Sequence, residues 1–164
     1  MSMKFLLATT AALLLLTVSS FAQKADTSID ANIKKYVNVW DEIINKGELK
    51  LFNDSNFTSN VVIHTAPQDV VGLKAARDYY ANYVTGFSNI KFTVKDCFGQ
   101  GNKIAKHWAF EGTHTGVFFG IPATGKTIKL EGVTLVRMEG DKIAEEQDFF
   151  DNLEFMQQLG LIPR

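Results

Sequence analysis

Two aspartates near the end of the chain are the first candidates for acid–base chemistry. Asp148 and Asp151 flank the pair Phe149 and Phe150 at the end of a segment that alternates like a strand. Apolar neighbours raise the pKa of a carboxyl group, and such a group can remove a proton from a carbon between two carbonyls and then return it. We therefore predict that one of these aspartates is a general acid–base group facing a pocket.

The spacing of the two aspartates bears on which of them faces inward. Three residues apart on a continuous strand, they lie on opposite faces of the sheet. Asp151 alternates in phase with Gln147 and with Ile143, which is expected to face the core, so the pattern favours Asp151. The alternatives are that Asp151 caps the helix that follows and that Asp148 is a solvated strand residue.

The three histidines are the other titratable candidates. His114 lies between two glycines in the sequence GTHTG, where a ligand can approach closely, and it alternates in phase with Trp108 and Phe110. We predict a pocket position for His114, where it would orient a substrate carbonyl or share a proton with the aspartate; the alternative is a hydrogen-bonded core histidine. His64 ends an early strand and is a second candidate, whereas His107 has the opposite phase and is expected at the surface.

A zinc site built from all three histidines is disfavoured. The seven-residue offset places His107 and His114 on opposite faces of a regular strand, so their rings cannot converge on one ion. Cys97 is the only cysteine, which leaves neither an intrachain disulfide nor a thiolate cluster available. We expect no metal and no other cofactor.

Aromatic side chains at several points of the chain are candidates to line the pocket of a flat ligand. The alternative is that they simply fill the core, as most such residues do. Together with the amide of Gln147, the candidates for substrate contacts are Tyr36, Trp40, Tyr80, Tyr83, Trp108 and Phe110.

The elements that must position these residues follow from the periodicity of the apolar side chains. An apolar stripe with helical spacing predicts a helix from Thr27 to Lys46, and a second helix is predicted from about Gly72 to Val84. Between them, Val61–His64 is predicted as a short strand. After Gly86 the period changes to two over four successive strands separated by glycine-containing turns, and a final helix is predicted from Asn152 to Leu159.

This order of elements indicates a single α+β domain. Helices followed by sequential strands favour a curved antiparallel sheet wrapped around the N-terminal helices, with a pocket at its open end. With 17 Lys+Arg against 18 Asp+Glu and 46% hydrophobic residues, the chain lacks the basic surface that nucleic acids require and has the apolar content of a folded domain. We expect a small-molecule ligand and no nucleic acid.

The N-terminus has the pattern of a secretory signal. Lys4 is followed by an uncharged run from Phe5 to Val18 and then by small residues at Ser20 and Ala22. The run is too short to cross a bilayer, which takes about 20 residues. We predict that residues 1–22 are removed by cleavage after Ala22, and that residues 23–164 form one secreted or periplasmic domain with no membrane anchor.

One segment matches a nucleotide-binding motif in form. Gly120–Thr127 satisfies GxxxxGK[ST], the phosphate-binding loop, in which a helix must begin at the lysine. The residues that follow alternate like a strand instead. We therefore predict a turn at this segment and no nucleotide.

Several short motifs together resemble one known family. The sequence GTHTG, the PATGK turn and the terminal QLG are similar to those of the SnoaL-like polyketide cyclases, or ester cyclases, over about Ile29 to Pro163. These belong to the NTF2-like superfamily, whose fold is a cone of antiparallel sheet that encloses a cavity with its helices. The resemblance extends to His64. It implies cofactor-free aldol closure of a polyketide ester by an aspartate, and it makes a homodimer an expectation.

Gln147 departs from the family pattern, because the family carries Trp at this position. The change replaces an apolar pocket wall with a hydrogen-bonding one, so the substrate is expected to differ. The leading hypothesis is a secreted ester cyclase that acts on a small polycarbonyl or aromatic substrate. The alternative is a periplasmic binding protein that keeps the cavity without turnover.

Overall fold

The structure, a computed structural model, describes residues 27–163; the predicted signal peptide lies outside them. The described elements comprise three helices, a short 3-10 turn and six strands. In chain order they are α1 Thr27–Lys46, the 3-10 turn Leu49–Leu51, β1 Phe57–His64, β2 Val70–Val71, α2 Leu73–Gly86, β3 Phe87–Gln100, β4 Lys103–His114, β5 Thr127–Glu139, β6 Lys142–Phe150 and α3 Asn152–Leu159. The helices and strands predicted from periodicity are all present, and α1 and α3 have the predicted bounds.

The strands form one curved, unclosed sheet in the order β2-β1-β6-β5-β4-β3. All neighbours pair antiparallel except β1 and β6, which run parallel with His64 opposite Gln147. This parallel pair was not predicted, since it depends on contacts between distant parts of the chain, and neither was the two-residue strand β2. The α+β class is confirmed, with the helices packed on the inner face of the sheet.

The core lies between α1, α2 and the inner face of the sheet. Tyr36, Trp40 and Ile43, spaced by helical turns on α1, are buried. Along β4 and β5 buried and accessible positions alternate strictly, which is the period-two pattern of a sheet with one face on the core. The alternation therefore fixes which side chains of these strands meet the helices.

The segment between β4 and β5 contains the motif that resembles a phosphate-binding loop. Thr127 begins strand β5, so a strand rather than a helix follows Lys126, as predicted. Gly120 and Gly125 have positive φ angles of 80° and 67°, values that favour glycine in turns. The segment is thus a connection between two antiparallel strands.

The outer face of the sheet carries large apolar side chains that are exposed in the single chain. They are Phe98, Val133, Leu135 and Phe149. A homodimer that covers this face stays a prediction. Among residues 27–163 no helix is long and apolar enough to cross a membrane.

Gly132 on β5 makes room for an aromatic ring on the inner face. A Cβ atom at this position would lie 2.4 Å from Cζ2 of Trp108 and 2.7 Å from the carbonyl oxygen of Phe149. Trp108 pairs with Gly132 across the sheet and lies over it. A side chain at position 132 would therefore displace the indole.

We expect Gly132→Ala to lower the free energy of unfolding by about 1–3 kcal/mol, because the added methyl overpacks the contact with Trp108. Urea denaturation measures the change. Val133→Ala, at an exposed neighbouring position on the same strand, is the control and should change stability by less than about 0.5 kcal/mol. Equal effects of the two substitutions would show that the close packing at Gly132 is not a constraint.

Candidate functional site

An aromatic cavity lies between the helices and the inner face of the sheet. This inner cavity has a volume of about 60 Å³ and is next to an outer cleft of about 770 Å³. Four residues line both spaces, namely Tyr83, Asp148, Phe150 and Phe155. The remaining walls of the inner cavity are formed by Trp40, Ile44, Tyr80, Phe92, Lys106, Trp108, Phe110, Ile128 and Leu130.

The carboxyl group of Glu146 is buried next to Trp40, one of the wall residues of this cavity. Its Oε1 accepts hydrogen bonds from the hydroxyl of Tyr36 at 2.6 Å and from the indole Nε1 of Trp40 at 2.9 Å. Burial raises the pKa of Glu146 to about 7, although the Lys106 cation opposes the shift. A carboxyl group of this kind changes its protonation state near neutral pH.

Asp148 is the next inward-facing residue on β6. The hydroxyl of Thr134 donates a hydrogen bond to Oδ1, and the hydroxyl of Tyr80 donates to Oδ2 at 3.3 Å. Thr134 in turn accepts from the indole Nε1 of Trp108 at 3.0 Å. Asp148 is therefore held from two sides, on the boundary between the inner cavity and the outer cleft.

The prediction that Asp151 faces the pocket is wrong as a statement of orientation. Asp151 is the N-cap of α3, where its side chain accepts from the backbone N–H of Glu154 at 2.9 Å, and it is exposed. This is the capping alternative raised by the sequence. Asp151 lines neither the cavity nor the cleft.

An extra residue in β6 explains the change of phase. On β5 the neighbours Arg137 and Met138 pair with Glu145 and Ile143, so Ala144 is a bulge. Ile143 and Ala144 are both buried, and beyond them the even-numbered positions face inward. The alternation of Ile143 therefore cannot be extended to the end of the strand.

The histidines occupy three different environments. His114 is fully buried, packs against the rings of Phe87 and Phe118, and bonds through Nδ1 to the Thr124 hydroxyl at 3.1 Å. Burial lowers its pKa. It does not line the cavity or the cleft, so it has the position of the core histidine that was the alternative.

His64 and Gln147 lie side by side in the outer cleft. They are paired across β1 and β6, and both line the cleft rather than the inner cavity. The Nδ1 atom of His64 lies 3.1 Å from Oδ2 of Asp69. His107 is partly exposed on the other face of β4, with Nε2 3.3 Å from Glu131. Gln147 therefore contributes its amide to the outer cleft and not to the inner cavity.

The predicted aromatic contacts divide into two groups. Trp40, Tyr80, Tyr83, Trp108 and Phe110 line the inner cavity. Tyr36 does not; its hydroxyl holds Glu146 instead. Sequence reasoning thus identified most of the aromatic wall.

Two functional candidates were missed, Glu146 and Lys106. Lys106 alternates in phase with Ile104 and Trp108 on β4, so its inward position could have been recognised from the strand pattern. No comparable signal existed for Glu146, because the bulge at Ala144 sets its direction. Within residues 27–163 no group of three or more His, Cys, Asp or Glu side chains is placed to hold a metal ion.

Comparisons with known proteins agree with the fold. The family model for SnoaL-like polyketide cyclases matches residues 34–159. TsrD from Streptomyces laurentii is similar in structure with a TM-score of 0.72 and 20% identity over 80% of this chain and 97% of its own. A SnoaL-like polyketide cyclase from Agrobacterium tumefaciens C58 has a TM-score of 0.64 and 18% identity over 79% of this chain and 98% of its own. A search of curated proteins finds no significant match.

The raised pKa of Glu146 predicts a pH-dependent stability. Above about pH 4.5 the unfolded chain releases this proton while the folded chain keeps it until the pH reaches about 7, so the free energy of unfolding falls as the pH rises through this window. Between about pH 5 and about pH 8 we expect the wild type to lose about 2 kcal/mol more than Glu146→Gln, which has no such proton. Urea denaturation of both proteins measures this difference, and parallel pH profiles would contradict it.

Proposed function

The chain belongs to the SnoaL-like polyketide cyclase family, and from this premise we propose that it is a cofactor-free enzyme that uses Asp148 as its acid–base group. Family membership supports a cyclase- or isomerase-type function on a small molecule. The finer proposal is an intramolecular aldol-type closure, or a related proton transfer, on a small polycarbonyl or aromatic substrate.

The position of Asp148 carries this proposal. Among the residues that the structure describes, it is the only carboxylate that lines both the inner cavity and the outer cleft. A substrate that enters through the cleft can therefore bring an acidic carbon to Asp148 while a ring or chain occupies the aromatic cavity. Asp151 lacks this access, because it is turned toward α3.

The surrounding groups suit a base that takes and returns one proton. Asp148 removes a proton from a carbon next to a carbonyl, and the resulting carbanion attacks a second carbonyl to form the carbon–carbon bond. The alkoxide formed in that step takes the proton back from Asp148, so the enzyme ends in its starting state. Hydrogen bonds from Thr134 and Tyr80 orient the carboxylate.

Glu146 limits the negative charge beside the base. The charge of Asp148 is one of the causes that raise the pKa of Glu146. Near pH 7 Glu146 is therefore partly protonated, which lowers the repulsion between the two carboxyl groups. Tyr36 and Trp40 on α1 donate the hydrogen bonds that hold Glu146 in place, so this helix positions the carboxyl group next to the site.

Export of the protein is part of the proposal. The pattern of residues 1–22 supports a secreted or periplasmic location, where the substrate would be a diffusible small molecule. The mass of the protein isolated from its own host tests this, and we expect a chain that begins at Gln23. A chain that retains residues 1–22 would contradict export by cleavage.

Proton abstraction can be measured without knowing the natural substrate. We expect the enzyme to accelerate exchange of the acidic C–H of an aryl 3-oxo ester into D₂O, followed by NMR. Asp148→Asn should lower the rate above buffer by about 100-fold or more, the effect of removing a general base. Asp151→Asn removes a carboxylate three residues away and should keep both the exchange rate and the stability, because Asn caps a helix about as well as Asp does.

The reverse result, with exchange lost in Asp151→Asn and kept in Asp148→Asn, would show that Asp151 and not Asp148 is the acid–base group. Binding of the ester by the wild type without any exchange above buffer would favour the binding protein over the enzyme. Full exchange in both variants would place the base elsewhere.

A further inference from the structure

A lysine that forms no ion pair within the described residues lines the inner cavity. Lys106 is 3% exposed, and its Nζ lies 5.0, 4.9 and 5.3 Å from the ring centroids of Tyr36, Trp40 and Phe92. Among the described residues this ammonium makes no hydrogen bond and no ion pair, although its charge lowers the pKa of the buried carboxyl group of Glu146. Every other wall residue of the cavity except Asp148 is apolar or aromatic.

Burial of an ammonium in such a place is costly unless an anion compensates for it. Contact with the faces of aromatic rings offsets part of this desolvation free energy, by about 0.5–2 kcal/mol for a desolvated cation. Hydrogen bonds from its three N–H groups to an acceptor would offset more of the cost, and the described residues supply none. The ammonium is therefore available to a ligand in the cavity.

Lys106 and the proposed base lie in one row across the sheet. Lys106 on β4 pairs with Thr134 on β5, and Thr134 pairs with Asp148 on β6. Adjacent strands are about 4.8 Å apart, which separates the backbones of Lys106 and Asp148 by roughly 10 Å. All three side chains point to the inner face, so a cation and a carboxylate flank a span of the size of one small ring or one dicarbonyl unit.

We propose that the Lys106 ammonium binds a negatively charged oxygen of the ligand, so that the cavity selects carbon acids whose conjugate base carries its charge on oxygen, such as the enolate of a 1,3-dicarbonyl. The inference deepens the proposed function and rests on it for the catalytic step alone. When Asp148 removes the proton from carbon, the electron pair of the C–H bond moves onto the carbonyl oxygen. That oxygen accepts a hydrogen bond from Nζ, and no proton or bond passes to the lysine.

The carboxyl group of Asp148 makes this selection directional. Asp148, at the other end of the row, repels an anion that approaches it, and the hydroxyl of Tyr80 already donates to its carboxylate. An anionic oxygen is therefore favoured only at the Lys106 end of the row. Since Trp40 and Phe92 lie beside the ammonium at that end, the oxygen is expected to belong to a flat, conjugated group.

A phenolate is a stable probe for such an oxygen. We would titrate the full-length protein with para-nitrophenol at a pH at which the probe is ionised, and in parallel with para-nitroanisole, a neutral compound with the same ring. Lys106→Met keeps a long side chain against the aromatic rings and removes the charge. Lys129→Met, an exposed lysine on β5, is the matched control for loss of one positive charge.

Lys106→Met should weaken binding of the phenolate by about tenfold or more, which is the effect of losing a charge-assisted hydrogen bond, while binding of para-nitroanisole changes by less than about twofold. Lys129→Met should leave both affinities unchanged. Lys106→Arg, which retains the charge, should recover part of the phenolate affinity and serves as the comparison if Lys106→Met does not fold.

Three outcomes would overturn the proposal. They are equal losses of phenolate and anisole in Lys106→Met, unchanged phenolate binding in the folded variant, and no binding of the phenolate by the wild type. The exchange assay separates this result from the catalytic one. Asp148→Asn should lower exchange by about 100-fold or more and still bind the phenolate. A wild-type protein that binds the phenolate through Lys106 but exchanges no proton would refute the proposed enzyme and leave the oxyanion site supported.

Discussion

The buried carboxyl group of Glu146 is the contact on which the arrangement of the inner face depends. It joins α1 to the last strand through the hydroxyl of Tyr36 and the indole of Trp40, residues more than 100 positions earlier in the chain. Hydrogen bonds to a charged or partly charged acceptor are worth more than neutral ones, and an unsatisfied carboxyl at this depth would be costly. The helix is thereby fixed in rotation against the sheet, and its aromatic face becomes one wall of the cavity.

The same inner face contains polar groups that differ in their depth of burial, among side chains that are otherwise apolar. Glu146 is almost completely buried, and Asp148 lies at the boundary between the inner cavity and the cleft. Lys106 lies against three aromatic rings, at the end of the row opposite Asp148. Thr134 connects the row, because it accepts from Trp108 and donates to Asp148. Such groups are expensive to bury, and a fold gains little stability from them. Their concentration at a cavity is typical of a site that acts on a ligand.

The alternation of β4 and β5, the capping pattern of α3 and the helical stripe of α1 were all readable from the sequence. These features depend on local periodicity, because the order of apolar and polar residues in each strand or helix indicates which of its faces is buried. The motifs GTHTG, PATGK and QLG were likewise sufficient to place the chain in its family, whose match over residues 34–159 confirms the resemblance. The inward orientation of Lys106 could also have been predicted, since Lys106 alternates in phase with Ile104 and Trp108 on β4.

The sequence by itself therefore determined the fold class, the element order and most of the aromatic wall. Only the tertiary structure decided which aspartate faces the cavity, because a single extra residue at Ala144 reverses the phase of everything that follows it on β6. A bulge is set by the pairing of two strands and leaves no periodic trace in one of them. The separation of His114 from the cavity and the pairing of His64 with Gln147 across the parallel strands have the same origin. They depend on contacts between segments far apart in the chain, which local periodicity does not encode.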